Sequence, residues 1–133
     1  MLSCSTDDKS LRMWDLRVSN EKNVKQVDES DPITSMENCY FEGGKYILLT
    51  TGKSVKIYDS ASFNLVKEFK DLSTDLESAS LSMDGQFFVT GGLDNCVRLY
   101  EFASGKEIGK FCFYEIANEL KIVIKDIMVQ CML

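Results

Sequence analysis

"TTGKSVKIYD", residues 50–59, decides the fold. Its Gly52-Lys53-Ser54 spells the end of a phosphate-binding loop, while "VKIYD" alternates like a β-strand. Two other stretches share its order of turn residues, aliphatic, cation, aliphatic, aromatic and acid: "TDDKSLRMWD" at 6–15 and "GLDNCVRLYE" at 92–101. Trp14, Tyr58 and Tyr100 are therefore equivalent, at spacings of 44 and 42 residues. Self-similarity at such a period is the mark of a repeat architecture, and it governs every other reading of the chain.

The match extends on both sides of these stretches. "GGKYILLTTG" (43–52) precedes the second copy as "DGQFFVTGGLD" (84–94) precedes the third, and "LVKEF" (65–69) stands 42 residues before "EIGKF" (107–111). Short blocks rich in Val, Ile, Phe and Tyr, separated by Gly, Asp, Asn and Ser, predict antiparallel strands in a four-strand meander per copy. The second copy reads as strands over 33–40, 45–51, 54–59 and 64–69, the third as 76–82, 86–91, 96–101 and 106–111. The first lacks its opening strand and supplies 1–5, 10–16 and 23–28.

This pattern resembles the WD-repeat family, whose repeats form the four-stranded blades of a β-propeller. The resemblance rests on "LRMWDL" with Trp14-Asp15, on "VKIYD" and "VRLYE", on "LSMDGQFFVTGG" at 81–92, and on Asp8 and Asp94, each six residues before its aromatic. It implies structural roles for Asp8, Trp14, Asp15, Tyr58, Asp59, Asp94 and Tyr100. The family's turn Asp usually bonds a His at the start of the blade. This chain has no His, and its second copy carries Gly52 in place of the Asp, so that network cannot take its usual shape. The implied fold is all-β, a partial propeller of about two and a half blades. The expected units are a partial blade at 1–29, blades at 30–71 and 72–111, and a divergent tail at 112–133.

Within the family the chain looks most like a branch of cytoplasmic and nuclear scaffolds. That likeness implies partners in the SMN complex, which assembles spliceosomal ribonucleoproteins, and in transforming growth factor β receptor and Smad signalling. A translation-initiation branch is the nearest alternative. A truncated product without full scaffold function is a second alternative.

The sharper chemical readings fail on spacing. A phosphate loop needs a glycine five residues before Gly-Lys-Ser and a helix after it, so that backbone amides converge on the phosphates. Ile47 holds the first position and a strand follows, so Gly52-Lys53-Ser54 reads as a hairpin turn. Asp7, Asp8 and Asp15 fall at turns and strand ends, where Asp bonds local backbone, and no metal site is expected. No histidine is present as a base and no serine sits in a nucleophile elbow, so an enzyme is not expected, and neither is a cofactor.

Charge points the same way. A net charge of -6 with no Lys/Arg cluster disfavours direct nucleic-acid binding and favours a protein partner. The acidic "DESDPITSMEN" at 28–38 is the outward feature best suited to a basic partner. Five cysteines without metal-ligand spacing read as buried thiols in a reducing compartment, and no leader or membrane anchor is expected.

After Phe111 the repeat stops. Ile116, Leu120, Val123, Ile124, Ile127 and Cys131 fall at helical spacing and predict an amphipathic helix over about 116–130, although the alternation of Leu120, Ile122 and Ile124 also suits a strand. The lost first strand and this change of sequence read as a fragment or splice variant of a longer propeller. Its outer sheets would each expose an apolar face, so self-association through blade faces is expected.

Overall fold

The strand Gly44–Thr51 shows why this chain forms a stack of sheets. Ile47, Leu48, Leu49, Thr50 and Thr51 are all buried, with no alternation between core and solvent. An antiparallel strand reads this way only when both faces of its sheet are covered. Ile47 and Leu49 face one neighbouring sheet and Leu48 faces another.

The computed structural model describes residues 2–15, 22–116 and 119–125, and among them three antiparallel sheets. The first contains β1 (Leu2–Cys4), β2 (Ser10–Asp15) and β3 (Lys22–Asp28). The second contains β4 (Ile33–Phe41), β5 (Gly44–Thr51), β6 (Ser54–Asp59) and β7 (Leu65–Phe69). The third contains β8 (Leu76–Leu81), β9 (Phe87–Gly92), β10 (Cys96–Glu101), β11 (Glu107–Ile116) and β12 (Glu119–Lys125). In every sheet the strands lie side by side in chain order, as a meander. Among the described residues all elements are β, as the repeat predicts.

The repeat is visible in the irregularities as well as in the strands. A register shift falls just before the aromatic in each sheet, at Met13/Trp14, Ile57/Tyr58 and Leu99/Tyr100. A second shift recurs at the start of the innermost strand, between Ile33 and Ser35 and again between Leu76 and Ser78. Bulges increase local twist and re-aim side chains. Their recurrence at matching positions means that successive sheets carry the same twist and can pack face to face.

Two apolar cores result. Between the first and second sheets lie Leu11, Ile33, Ile47, Leu49, Tyr58 and Phe63, with Leu2, Met13 and Val27 against them. Between the second and third lie Leu48, Val55, Ile57, Phe69, Phe88 and Tyr100, among others. Phe88 stacks on Tyr100 at 4.9 Å and lies 4.4 Å from Phe69, so one aromatic ladder crosses the joint. Each fully buried side chain of this size contributes about 1.5–3 kcal/mol.

Two expectations are corrected. The helix over 116–130 does not form in its described part, because Glu119–Lys125 is β12, with Phe111 opposite Ile124 and Glu115 opposite Leu120. The cause lies in β11, which runs on to Ile116 instead of ending at Phe111 and offers a long edge whose amides and carbonyls need partners. A run containing Ile122, Val123 and Ile124 suits that edge, since β-branched side chains favour strands. Residues 126–130 lie outside the described part. The expectation of free thiols is corrected at Cys96 and Cys112, which form a disulfide with their Cα atoms 4.1 Å apart. The pairing of Val97 with Phe111 sets them directly opposite each other. Cys4 and Cys39 are free thiols, and burial, with Glu37 nearby, pushes the Cys39 thiol up to about 11.

Candidate interaction surface

Without histidine, each sheet solves the same polar problem with different residues. In the first, Asp8 pairs with Arg12 at 2.8 Å, and the Trp14 indole N–H donates to Ser3 Oγ at 2.8 Å. In the third, Asp94 holds Arg98 through two hydrogen bonds, 2.6 and 3.2 Å long, and Glu107 takes its Nε at 3.1 Å. Arg98 is buried, so this three-bonded arrangement is what makes its charge tolerable there. The hydrogen bond from Arg98 also holds the Asp94 carboxyl below its ordinary range.

The second sheet, which lacks the turn Asp, recruits Glu29 instead. This buried residue precedes β4 and accepts from both Lys56 and the Tyr58 hydroxyl. Burial, followed by the bond to Glu29, raises the Tyr58 pKa. Lys56 occupies the place of Arg12 and Arg98, so the cation is kept while its acid comes from elsewhere in the chain. Sequence reasoning took the acidic run at 28–38 as an outward feature suited to a basic partner and missed the burial of Glu29. The available signal was its place four residues before Ile33, which matches Leu72 before Leu76 in the next repeat.

The remaining repeat positions lie at strand ends. Asp59 accepts from the backbone N–H groups of Ala61 and Ser62, at 2.9 and 2.8 Å, which depress its pKa. Phe63 N–H returns to Asp59 O, as Gly105 N–H returns to Glu101 O, and both Phe63 and Gly105 have positive φ. The backbone of Asp15 pairs with Lys22. Tyr100 lies against Phe88 in the second joint, and its pKa is raised by burial. These residues are distributed over three sheets, and the fold does not gather them into one site.

Gly52-Lys53 is the two-residue turn between β5 and β6. Its carbonyls are occupied by the following repeat: Leu76 N–H donates to Gly52 O at 2.8 Å and Leu72 N–H to Lys53 O at 3.0 Å. Gly52 has φ of +49°, which glycine adopts without strain, and a Cβ there would lie 3.3 Å from the Asp31 side chain, a tight contact. This geometry joins two sheets and does not cradle phosphate.

Beside that turn, a cleft of about 590 Å³ opens between the second and third sheets. Asp31, Asp75 and Glu77 line it with exposed carboxylates, and Leu93 supplies an apolar contact, 60% exposed. Among the described residues, no three or more His, Cys, Asp or Glu side chains gather as metal ligands, and no helix is long and apolar enough to cross a membrane.

Repeated meanders, recurrent bulges and an aromatic at each third strand are, among the described residues, those of a partial WD-repeat propeller. Residues 64–101 match the family model described as WD domain, G-beta repeat. Among individual proteins, the chain is 33% identical over 107 residues to the serine-threonine kinase receptor-associated protein of Homo sapiens, covering 80% of this chain and 29% of that one. The protein of the same name from Dictyostelium discoideum is 36% identical over 98 residues, 74% of this chain and 31% of its own length. A guanine nucleotide-binding protein subunit beta from Schizosaccharomyces pombe is 29% identical over 94 residues, 71% of this chain and 30% of its own. The chain spans about three tenths of the length of these curated relatives.

Proposed function

We propose that this chain is a non-catalytic scaffold that binds basic segments of other proteins at the acidic cleft between its second and third sheets. The observation that carries this reading is that Asp31, Asp75 and Glu77 line one cleft with exposed Leu93, beside β4, β8 and Gly52. Exposed carboxylates attract cationic side chains and steer their approach, while an apolar side chain within the same cleft gives a seated segment something to pack against. The finer reading follows the chain's likeness to proteins named for association with a serine-threonine kinase receptor. On that reading its partners are transforming growth factor β receptors with their Smad proteins and components of the SMN complex, and it works in the cytoplasm and nucleus. The test is a titration of the 133-residue chain against a receptor kinase domain and against purified SMN components, with Asp75→Lys/Glu77→Lys as the comparison. Binding that weakens steeply with salt and is lost in the double variant supports the cleft. Binding unaffected by the double variant removes it, and an absence of binding to either partner removes the finer reading.

A further inference from the structure

The Cys96–Cys112 bridge stands beside the turn that completes the acidic cleft. Leu93, Asp94 and Asn95 connect β9 to β10, and Leu93 lines the cleft. The Leu93 N–H donates to Asp75 O at 3.0 Å, so the turn is joined directly to one of the cleft's acids. Cys96, the first residue of β10, donates its N–H to Asp94 Oδ1 at 3.2 Å and closes the turn from the other side. Its own anchorage is one-sided. β10 pairs with β9 only from Val97 onward, opposite Gly91, whereas Cys96 lies opposite Cys112 of β11 and is bonded to it. The bridge is thus the covalent part of what fixes the end of this turn.

The fold also provides for the open form. The Cys96 sulfur stands 3.5 Å from Asp94 O, within reach of a thiol S–H, a donor that the bridged sulfur does not have. Arg98 holds the Asp94 carboxylate through its two hydrogen bonds whether or not the bridge is closed. Opening therefore exchanges a tie to the neighbouring strand for a weak bond within the turn, and leaves the rest of the sheet its ladder. In a chain that works in the cytoplasm and nucleus, as proposed above, a disulfide meets a reducing thiol pool, and such disulfides are usually transient and redox-sensing.

We propose that Cys96–Cys112 is a reversible redox switch on the cleft, a regulation that rests on the cleft being the binding site. Closed, the bridge holds the 93–95 turn in place, and open, it lets the turn move. The reductant is a monothiol of the glutathione class. Its thiolate attacks one bridge sulfur, the S–S bond breaks, and the leaving cysteine thiolate takes up a proton. A second monothiol resolves the mixed disulfide, so that two monothiols become one disulfide as the bridge gains two electrons and two protons. Both cysteines are buried, so exchange proceeds through local opening of the hairpin. A turn ordered in advance leaves less to be ordered on association, and the closed form should bind about two- to tenfold more tightly.

The test equilibrates the 133-residue chain in mixtures of reduced and oxidised glutathione, with the bridge scored by alkylation and peptide mapping. It should open and close reversibly while far-ultraviolet circular dichroism stays constant. Hydrogen–deuterium exchange at 93–96 should be faster in the open form, and a fluorescent peptide of lysines and leucines should bind that form more weakly by the stated factor. Cys96→Ser/Cys112→Ser should behave as the open form in every mixture. A bridge that stays closed in excess reduced glutathione, or whose opening unfolds the sheet, is a fixed cross-link and overturns the proposal. Unchanged exchange at the turn overturns it too. Equal affinity of the two forms removes the switch and leaves the cleft standing, whereas binding to neither form removes the cleft and the switch with it.

Discussion

Tyr58 donates its phenolic hydrogen to Glu29, and through that bond the connection before the second sheet is fastened to the sheet's third strand. Lys56 closes the same carboxylate from the side, with Glu68 as a second acid 3.8 Å from the cation. Tyr58→Phe removes one donor and should cost about 1–2 kcal/mol. Glu29→Leu leaves the Tyr58 hydroxyl without its acceptor and Lys56 with only the more distant Glu68, and should cost about 2–4 kcal/mol. Urea denaturation of the two variants measures the difference, and equal effects would contradict this ordering.

The third sheet should be acid-sensitive. Its Asp94 has a folded-state pKa held down by the hydrogen bond from Arg98, so the stability it contributes is present above the ordinary aspartate value of about 3.9 and is lost as pH falls toward the depressed one. Asp94→Asn should flatten the dependence of stability on pH below about 4. It should also cost about 2–3 kcal/mol at neutral pH, because Arg98 then keeps only Glu107 as a charged partner. Acid titration followed by tryptophan-independent far-ultraviolet circular dichroism reads both effects.

Truncating the aromatics should separate sheets by how far each is enclosed. Phe88→Ala removes a ring that is 1% exposed and touches Phe69 and Tyr100, for about 3–5 kcal/mol. Trp14→Ala removes a half-buried ring and its bond to Ser3, and should cost less. Thermal denaturation ranks the pair.

Reducing agent should destabilise the third sheet alone. The Cys96–Cys112 bridge closes a loop with a sequence separation of 16, for which the chain-entropy contribution is about 3 kcal/mol. Cys112→Ala should reproduce the effect of reductant and abolish any further response to it.

Lys53→Ala should leave the chain unable to bind ATP with magnesium, as the unaltered chain is, since the carbonyls of this turn are already engaged by Leu72 and Leu76. Saturable heat in a calorimetric titration, removed by the substitution, would overturn the assignment of Gly52-Lys53 as a turn.

Strand positions were legible because local chemistry and repeat spacing agreed: the "VKIYD" and "VRLYE" runs could be placed on third strands before any contact was known. What stayed hidden depended on neighbours. Glu29 looks like one more acid in a polar loop, and its burial follows only from the packing of two sheets around it. Cys96 and Cys112 were in principle readable, since a hairpin that pairs Val97 with Phe111 must set them opposite. The segment 119–125 carries both a helical and an alternating pattern, and the choice between them was made by the open edge of β11, a tertiary feature that no local window contains.

The double coverage of β5 bears on how the molecule comes apart. Amide hydrogens exchange with solvent through local opening, and the free energy of opening rises with the burial around each strand. Ile47 to Thr51 sit at the centre of the stack, whereas among the described residues β1 pairs only with β2 and no strand lies at its other edge. Deuterium uptake should therefore spread inward from the first sheet and from β12, reaching the amides of Leu48 and Leu49 last, so that the second repeat persists as a folded remnant after its neighbours have frayed.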